Sequence, residues 1–378
     1  MYVKKRRLKK TPLVILLCII LGACLIVAKT TNNGTKKSNN NETVSKKSSK
    51  TVSKSDKKKS MSLVMVGDVL THDSVLADAL KEDGSYDFAS MFTDIKPMIK
   101  DYDLKYINQE AIIGGPSFKY SGYPTFNAPD SIGDNLIDTG FNIFGLANNH
   151  AYDKGEDAIL YSNKYWSSKD VITAGTYSSK DERDDIKVYE KNGIKYAFLA
   201  YTTSLNGYTL SSDKSYLVNV YSDALVKDDV DKIKDKVDVV IVAMHWGDEY
   251  TNTPTNSEKE IAQYLSELGV DLVIGTHPHV VQPIEYVGET LVIYSLGNFI
   301  SNQLVIGLNP AIGLMVGVDI TVDGDDTKIS IKEKELLYSY SKNSTNFKVI
   351  PFSKMNDDIL PDYKSVEEKY MSIVGDVM

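Results

Sequence analysis

Histidine is the residue of this chain best suited to chemistry, and two of the five histidines form a close pair. His277-Pro278-His279 places two imidazoles two residues apart, and Pro278 restricts the backbone of the turn. A His-x-His directly after a buried strand is more often a metal pair than two unrelated polar groups. Both cysteines, Cys18 and Cys24, lie near the N-terminus. The rest of the chain must therefore hold any metal with nitrogen and oxygen ligands.

Four further candidate ligands, Asp68, Glu110, Asn149 and His245, each follow a short apolar run. Ligands of α/β sheets bind outside the carboxyl ends of the strands, so these side chains are expected to converge. Taken singly, each has a plainer interpretation: either carboxylate could cap a helix or turn, and the histidine could be a core hydrogen-bonding residue. Together they predict a divalent metal site for one ion or two. Mixed imidazole, carboxylate and amide ligation favours Mn, Fe or Zn over Mg or Ca.

Two residues beside these ligands are candidate catalytic groups. His150 follows Asn148-Asn149 and is expected just outside the metals, as a general acid or charge stabiliser. Asp153 lies three residues further on and either assists it or shapes the turn. His72 has no such context, and its role as a site residue or a surface residue stays open.

The elements that must position these residues follow an α/β pattern. Apolar runs predict buried strands at residues 63–66, 104–107, 143–146, 196–201, 237–244, 272–274 and 291–294. Helical patterns lie between several of them, at residues 88–100, 132–138, 156–167, 224–234 and 257–268. Residues 313–322 and 328–338 alternate like two antiparallel strands joined by a turn around Gly324. The alternation of strands and helices predicts a layered α/β domain.

The charge of the chain is divided sharply between two regions. Residues 1–60 hold 16 of the 43 Lys and Arg but only two of the 51 acidic residues, Glu42 and Asp56. The remaining 27 basic and 49 acidic residues give residues 61–378 a charge of −22. Such an acidic domain argues against a nucleic-acid partner, because phosphate binding needs clustered Lys and Arg.

The N-terminus predicts a membrane location. Six Lys and Arg precede residues 11–28, an uncharged stretch of 18 residues that would span roughly 27 Å as a helix. We expect a single-pass signal anchor at residues 1–28 that places the rest of the chain outside the cytoplasm. A cleaved signal peptide and a lipoprotein anchored at Cys24 are the alternatives. Residues 29–60 are predicted to be a flexible Lys/Ser/Thr/Asn tether, residues 61–340 the globular domain, and residues 341–378 a C-terminal extension.

Seven ordered motifs resemble the bacterial capsule-synthesis family CapA, the poly-γ-glutamate capsule (PGA_cap) domain, across about residues 62–338. This family is a branch of the calcineurin-like metallophosphoesterase fold. The motifs are Val66-Gly67-Asp68, Asn108-Gln109-Glu110, the Tyr123–Pro129 segment, Gly140-Phe141-Asn142 leading to Ala147-Asn148-Asn149-His150, His245-Trp246-Gly247-Asp248-Glu249, Gly275-Thr276-His277-Pro278-His279 and Ser295-Leu296-Gly297-Asn298-Phe299.

The resemblance implies a four-layer α/β/β/α sandwich and a ligand set for two ions. Asp68, Glu110 and His279 would hold one metal. The second would be held by Asn149, His245 and His277, with Glu110 bridging, and His150 would be the acid. The chain departs from the phosphoesterase pattern, since His72 lies four residues after Asp68 instead of two.

The functional expectation from the resemblance is the synthesis, export or anchoring of an anionic capsule polymer of the poly-γ-glutamate type. Its expected partners are the membrane, the polymer and capsule-polymer synthase subunits, with no nucleic acid. A metal-dependent hydrolase of phosphoester or γ-glutamyl amide bonds is the alternative, so whether the protein is an enzyme stays open. A third interpretation is an envelope-polymer binding protein with a purely structural metal.

Overall fold

The computed structural model describes Lys4–Lys5 and residues 58–377, and the described strands form two sheets. The first sheet has the order β1, β14, β13, β2, β3, β4 and β5, with β12 paired to β2 and β15 paired to β14. Its strands are Lys4–Lys5 (β1), Lys59–Val69 (β2), Leu104–Asn108 (β3), Ile143–Gly145 (β4), Ile172–Ala174 (β5), Asn298–Ile300 (β12), Ile312–Asp323 (β13), Asp326–Lys342 (β14) and Thr345–Pro351 (β15).

The second sheet has the order β10, β11, β9, β8, β7 and β6. Its strands are Tyr189–Lys191 (β6), Ile194–Thr202 (β7), Val239–His245 (β8), Leu272–Thr276 (β9), Ile284–Val287 (β10) and Thr290–Ile293 (β11). Strands β7, β8, β9 and β11 are parallel, as are β2 to β5 in the first sheet. Strand β8 is buried along its whole length, as expected for a parallel strand covered on both faces.

The described α-helices mostly connect these strands. They are Asp73–Ala79 (α1), Lys96–Ile99 (α2), Asp130–Thr139 (α3), Gly155–Ser167 (α4), Lys180–Asp184 (α5), Asp223–Ile233 (α6), Asn256–Leu268 (α7) and Tyr363–Val374 (α8). The predicted strands, the antiparallel pair β13–β14 and the helices that correspond to α3, α4, α6 and α7 are confirmed.

The helix predicted at residues 88–100 is wrong. The chain forms a 3₁₀ helix at Ala89–Phe92 and then the four-residue helix α2. Pro97 lies in the first turn of α2. In the middle of a continuous helix its ring would clash with the carbonyl four residues earlier, and its missing N–H would break the hydrogen-bond ladder.

Alternate residues of the strands enter different hydrophobic clusters. In β2, Leu63 and Met65 join the cluster that also contains Phe198 and Ile274 of the second sheet. Their neighbours on the strand, including Val64, instead pack with residues of α1, α3 and α4. The opposite face of the second sheet packs with residues of α6 and α7. Helices thus contact one face of each sheet, and the α/β fold class is confirmed, whereas the four-layer description stays a prediction.

The C-terminal residues pack into the same structure. Strand β15 pairs with β14, and Tyr370 and Val374 of α8 belong to the hydrophobic cluster shared by both sheets. No helix within the described residues is long and apolar enough to cross a membrane. The predicted anchor at residues 11–28 and most of the tether lie outside the described residues. Strand β1 pairs with β14 over two residues.

A close backbone contact joins β2 to the segment before β12. A Cβ on Gly67 would lie 1.7 Å from the carbonyl oxygen of Gly297, so only glycine fits. The amide of Asp68 donates to the same oxygen at 3.0 Å. This contact sets Asp68 beside Asn298, its partner in the strand register.

We expect Gly67→Ala to lower the free energy of unfolding by about 3 kcal/mol, since the added methyl group must displace a packed strand. Gly84→Ala is the matched control, because a Cβ added at Gly84 would have no other atom within 4 Å and the positive φ of +84° is the main cost. That cost is about 1 kcal/mol. Urea unfolding of the full chain measures both, and equal losses would contradict the close-contact explanation.

Candidate metal centre

The predicted ligands stand at strand ends of both sheets and meet in one place. Asp68 lies next to the last residue of β2, and Glu110 follows β3. His245 ends β8, and His277 and His279 follow β9 in the second sheet. The site therefore lies where the carboxyl ends of strands from two sheets come together, as the sequence predicted.

Two groups of these side chains are close enough to hold a metal ion. Glu110, His245 and His277 form one group, and Asp68, Glu110 and His279 form the other. Within each group one potential ligand atom per residue lies within 4.8 Å of the others. Glu110 is common to both, which is the arrangement that a carboxylate bridging two ions requires.

Glu110 provides the test of whether these residues fit a metal. Its side chain is fully buried, and neither carboxylate oxygen accepts a hydrogen bond from the described residues. Oε1 lies 3.4 Å from His245 Nε2 and 3.9 Å from His279 Nε2. Burial, with a contribution from the negative charge of Asp68, raises the pKa of Glu110. A buried carboxylate without partners is costly, and a divalent cation offsets that cost, so the residues fit the ion.

Asp68 is the other buried carboxylate, and its surroundings favour the charged form. Its Oδ1 accepts from Asn108 Nδ2 at 2.7 Å, and its Oδ2 accepts from the backbone amide of His277 at 3.2 Å. Burial opposes the charge, but the hydrogen bonds with His279 and Asn108 and the charge of His279 outweigh it, so the pKa of Asp68 is lowered.

The imidazoles of His245 and His277 are suited to be neutral ligands. Burial lowers the pKa of His245 to about 3, and burial is also the main cause that lowers the pKa of His277. Their facing nitrogens, His245 Nε2 and His277 Nδ1, lie 3.1 Å apart. Two lone pairs aimed at one point repel each other unless a proton or a metal ion lies between them.

His279 differs from the other two, because its charged form is favoured. Burial lowers its pKa, but the carboxylates of Glu110 and Asp68 outweigh burial and raise the pKa to about 9. A metal ligand must be deprotonated, so an ion bound here would take the place of that proton.

The turn that carries the histidine pair is strained. His277 has a φ of 97° and His279 a φ of 59°, both in a region that residues with a side chain rarely adopt. Each such residue costs about 1–3 kcal/mol and persists where the surrounding structure enforces it, often at functional sites. The sequence showed the pair but not this backbone conformation.

Asn149 faces the candidate ligand His245, and its own role as a ligand stays a prediction. Its Oδ1 lies 2.9 Å from His245 Nε2, and its Nδ2 donates to Asn206 Oδ1 at 3.2 Å. The second contact turns the amide so that the oxygen, the only atom of the group that can bind a metal, points at the histidine.

His150 and Asp153 form a pair beside the metal ligands and belong to neither ligand group. His150 Nδ1 lies 2.7 Å from Asp153 Oδ2, which also accepts from the backbone amide of Phe126 at 2.7 Å. An ionised Asp153 holds the proton on Nδ1 and leaves Nε2 free to accept or donate a proton. This geometry suits the predicted role of an acid or charge stabiliser.

A cleft of about 770 Å³ opens beside this pair. Its lining residues are Tyr123, Pro124, Thr125, Asn149, His150, Asp153, Asn206, Tyr208, Glu249, Tyr250, Asn302, Gln303, Val305, Ile306 and His72. Among these described residues there is no Lys or Arg. Lys154 lies next to the wall, where its Nζ donates to Thr125 Oγ1 at 3.0 Å.

His72 lies in the wall of this cleft and outside both ligand groups. Its Nδ1 accepts from the backbone amide of Asn302 at 3.1 Å, and burial lowers its pKa to about 4.

Four residues at the site were given no role from the sequence. Asn108 contacts Asp68, Thr276 Oγ1 lies 3.0 Å from His245 Nδ1, and Asn298 Oδ1 lies 3.1 Å from His279 Nδ1. These three stand at or next to strand ends, so their position was a usable signal. Asn206 lies in the loop after β7 and gave none.

A family model also matches the chain. The model, "Bacterial capsule synthesis protein PGA_cap", matches residues 62–303, which include the candidate ligands and the cleft up to Gln303. This chain belongs to the PGA_cap family. The resemblance seen in the sequence is confirmed, and capsule synthesis is the process with which the family is associated.

Two similar PGA_cap relatives carry capsule names. The PGA biosynthesis protein CapA of Bacillus subtilis (strain 168) is 33% identical over 179 residues, which are 44% of this chain and 44% of the relative. The capsule biosynthesis protein CapA of Bacillus anthracis is 26% identical over 259 residues, 66% of this chain and 62% of the relative. The chain thus matches less than two thirds of the length of either relative.

Similar solved structures include the calcineurin-like phosphoesterase YfkN from Bacillus subtilis. It is 14% identical, with 83% of this chain and 98% of that chain covered and a TM-score of 0.44. The NAD nucleotidase of Haemophilus influenzae is 15% identical, with 84% of this chain and 57% of that chain covered and the same TM-score of 0.44. A TM-score at this level marks a partial likeness of fold and nothing about activity.

Glu110→Gln tests the metal centre through stability. Without metal we expect the variant to be at least as stable as the wild type, because an amide removes a buried charge that has no partner, a cost of about 1–3 kcal/mol. With Mn²⁺ or Zn²⁺ at about 100 times its dissociation constant, the wild type should gain about 2.7 kcal/mol and the variant far less. Chemical unfolding with and without metal measures the difference.

Glu258→Gln is the control for this experiment. Glu258 is also buried, but it belongs to the capping box of α7 with Thr255 and to neither ligand group. Gln can still accept from the Thr255 amide in the capping box, so the variant should stay close to the wild type in stability without metal, and its gain on adding metal should match the wild type. The metal centre is refuted if Glu110→Gln gains as much from metal as the control does.

Proposed function

We propose that this protein is a membrane-anchored, extracytoplasmic component in the synthesis, export or anchoring of an anionic capsule polymer of the poly-γ-glutamate type. It would act through its metal-binding domain, together with capsule-polymer synthase subunits in the membrane. The family membership supports the process. The six Lys and Arg that precede the apolar stretch at residues 11–28 support the membrane anchor and the extracytoplasmic position of the domain.

The observation that carries the proposal is the buried Glu110 carboxylate, which has no hydrogen-bond partner among the described residues and is shared by two groups of ligand side chains. Asp68, Glu110 and His279 would hold one divalent ion, and Glu110, Asn149, His245 and His277 the other. The ligand types favour Mn, Fe or Zn. When bound, the ions would supply positive charge and Lewis acidity beside Asn149, which lines the cleft.

The charge of the cleft explains why a polyanion would need those ions. Asp153 and Glu249 line the cleft, and no Lys or Arg does so among the described residues. Residues 61–378 together carry a charge of −22. A carboxylate polymer is therefore repelled by most of this surface and would be attracted where the metals lie.

The side chains of the cleft offer uncharged contacts for the rest of such a polymer. Asn206 and Asn302 place carboxamides in the lining, and a carboxamide can both donate and accept a hydrogen bond. Tyr123 is 73% exposed at the rim and gives an aromatic surface without charge. Amide groups of a polymer backbone could pair with these carboxamides while one carboxylate faces the metals.

Capsule formation in the host organism tests the proposal. A strain that lacks the protein should lose polymer yield, chain length or surface retention, and the wild-type gene should restore it. Glu110→Gln should fail to restore it, whereas Glu258→Gln should restore it at equal membrane abundance. The proposal is wrong if the deletion leaves all three polymer properties unchanged, or if Glu110→Gln restores them fully.

A second candidate function is a metal-dependent hydrolase, and the His150–Asp153 pair favours it. The pair lies in the cleft wall next to Asn149, and at 2.7 Å Asp153 can orient the imidazole for proton transfer to a leaving group. Either a phosphoester or a γ-glutamyl amide would present such a leaving group.

For that function, His150→Ala should reduce turnover of phosphoester or γ-glutamyl amide substrates by about 10²–10⁴-fold. Metal content should not change, because His150 is in neither ligand group. Turnover by the metal-loaded full chain is measured on both bond types. A wild-type protein that holds metal and cleaves neither bond rules out the hydrolase and leaves the polymer-docking role standing.

A further inference from the structure

Asn298 stands between a candidate metal ligand and the cleft, and its amide orientation is fixed by its neighbours. The side chain is fully buried. Its Nδ2 donates to the backbone carbonyl of Pro310 at 2.8 Å and to Gln303 Oε1 at 2.7 Å. A backbone carbonyl can only accept, so the atom that faces Pro310 must be the nitrogen. The opposite orientation would set two carbonyl oxygens against each other.

Two acceptor oxygens face Nδ1 of His279, the fixed amide oxygen of Asn298 and Oδ2 of Asp68, which lies 3.4 Å away. The amide oxygen is the nearer of the two. Asn298 Oδ1 lies 3.1 Å from His279 Nδ1 and can only accept there, so Nδ1 must be the donor. In the neutral imidazole the lone pair is then on Nε2, the nitrogen that lies 3.9 Å from Glu110 Oε1. The ligand atom of His279 therefore points at the carboxylate shared by both groups.

We propose that Asn298 is a positioning residue that fixes the tautomer of His279, so that Nε2 is the nitrogen presented to the metal. The proposal rests on the metal site of the proposed function and adds a residue to it. Asn298 also lies beside Asp68, the carboxylate of the same ligand group, because the two residues pair in the register of β12 and β2.

The same amide links the metal ligand to the wall of the cleft. Gln303 Oε1 accepts from Asn298, so its Nε2 is free to donate to Tyr250 Oη at 3.1 Å. Tyr250 and Gln303 both line the cleft. A chain of hydrogen bonds thus runs from His279 through Asn298 and Gln303 to a hydroxyl group that an occupant of the cleft can contact.

The test compares two substitutions in the full-length protein. Asn298→Ala removes the nearer acceptor of His279 and the donor to Pro310. Asn298→Asp keeps an acceptor oxygen for His279, but it places a second oxygen against the Pro310 carbonyl. Both should lower the unfolding free energy without metal. Only Asn298→Ala should weaken Zn²⁺ binding, by about 10–100-fold, whereas Asn298→Asp should stay within about threefold of the wild type.

Gln303→Ala is the matched control, because the Pro310 carbonyl still orients Asn298 in its absence. It should leave Zn²⁺ affinity within about threefold of the wild type. Ring nitrogen–proton correlation spectra of ¹⁵N-histidine-labelled, Zn²⁺-bound protein give a second readout. They should show His279 protonated on Nδ1 in the wild type and in Asn298→Asp.

If the role of Asn298 were purely structural, Zn²⁺ affinity would follow the free energy of unfolding. Asn298→Ala and Asn298→Asp would then lose Zn²⁺ affinity equally. That result, or unchanged affinity in Asn298→Ala, overturns the proposal. So does a His279 that carries its proton on Nε2 in the wild type. If the wild-type protein binds no Zn²⁺, Mn²⁺ or Fe²⁺, the metal site of the proposed function is refuted. That result differs from the results that refute only the role of Asn298.

Discussion

The carboxylate of Glu110 is the constraint on which the site depends. It is buried, and no described residue donates a hydrogen bond to it. A protein interior rarely tolerates such a group, because the desolvation of the charge has no compensation. The facing nitrogens of His245 and His277 lie 3.1 Å apart at the same place, so that a proton or a metal ion must lie between them. A bound divalent cation would accept lone pairs from the imidazoles and compensate the carboxylate charge.

The packing of the two sheets is what makes this constraint possible. Asp68 and Glu110 come from the first sheet, and the three candidate ligand histidines come from the second. Neither sheet alone brings together a complete ligand group. Close backbone contacts hold the strand ends in register, such as Gly67 against Gly297 and Gly275 against Tyr294. The candidate ligands are therefore positioned by the packing of one sheet against the other.

Much of the fold and site could be predicted from the sequence, because the strands are continuous apolar runs that end in polar residues. That pattern located Asp68, Glu110, Asn149 and the three histidines. It failed at residues 88–100, where hydrophobic spacing favoured a helix and Pro97 interrupts it. It also gave no role to Asn206. The contacts of this residue depend on which loops meet in three dimensions, and a single sequence carries no periodic signal for that.

Metal binding and catalysis would depend on different residues around the cleft. The ligand groups account for cation binding without any contribution from His150. The His150–Asp153 pair adds a group able to transfer a proton, but proton transfer matters only if a bond is cleaved. Docking of an anionic polymer requires the cations alone. The two functions thus share one site and differ in whether this pair is used.

The central claim is that these residues hold divalent metal, and elemental analysis of the protein purified from its own host tests it most directly. We predict at least one equivalent of Mn, Fe or Zn per chain in the wild type. His277→Ala, which removes a ligand from one group only, should lower that content. A wild-type protein without these metals, or a His277→Ala protein with undiminished metal, would contradict the account.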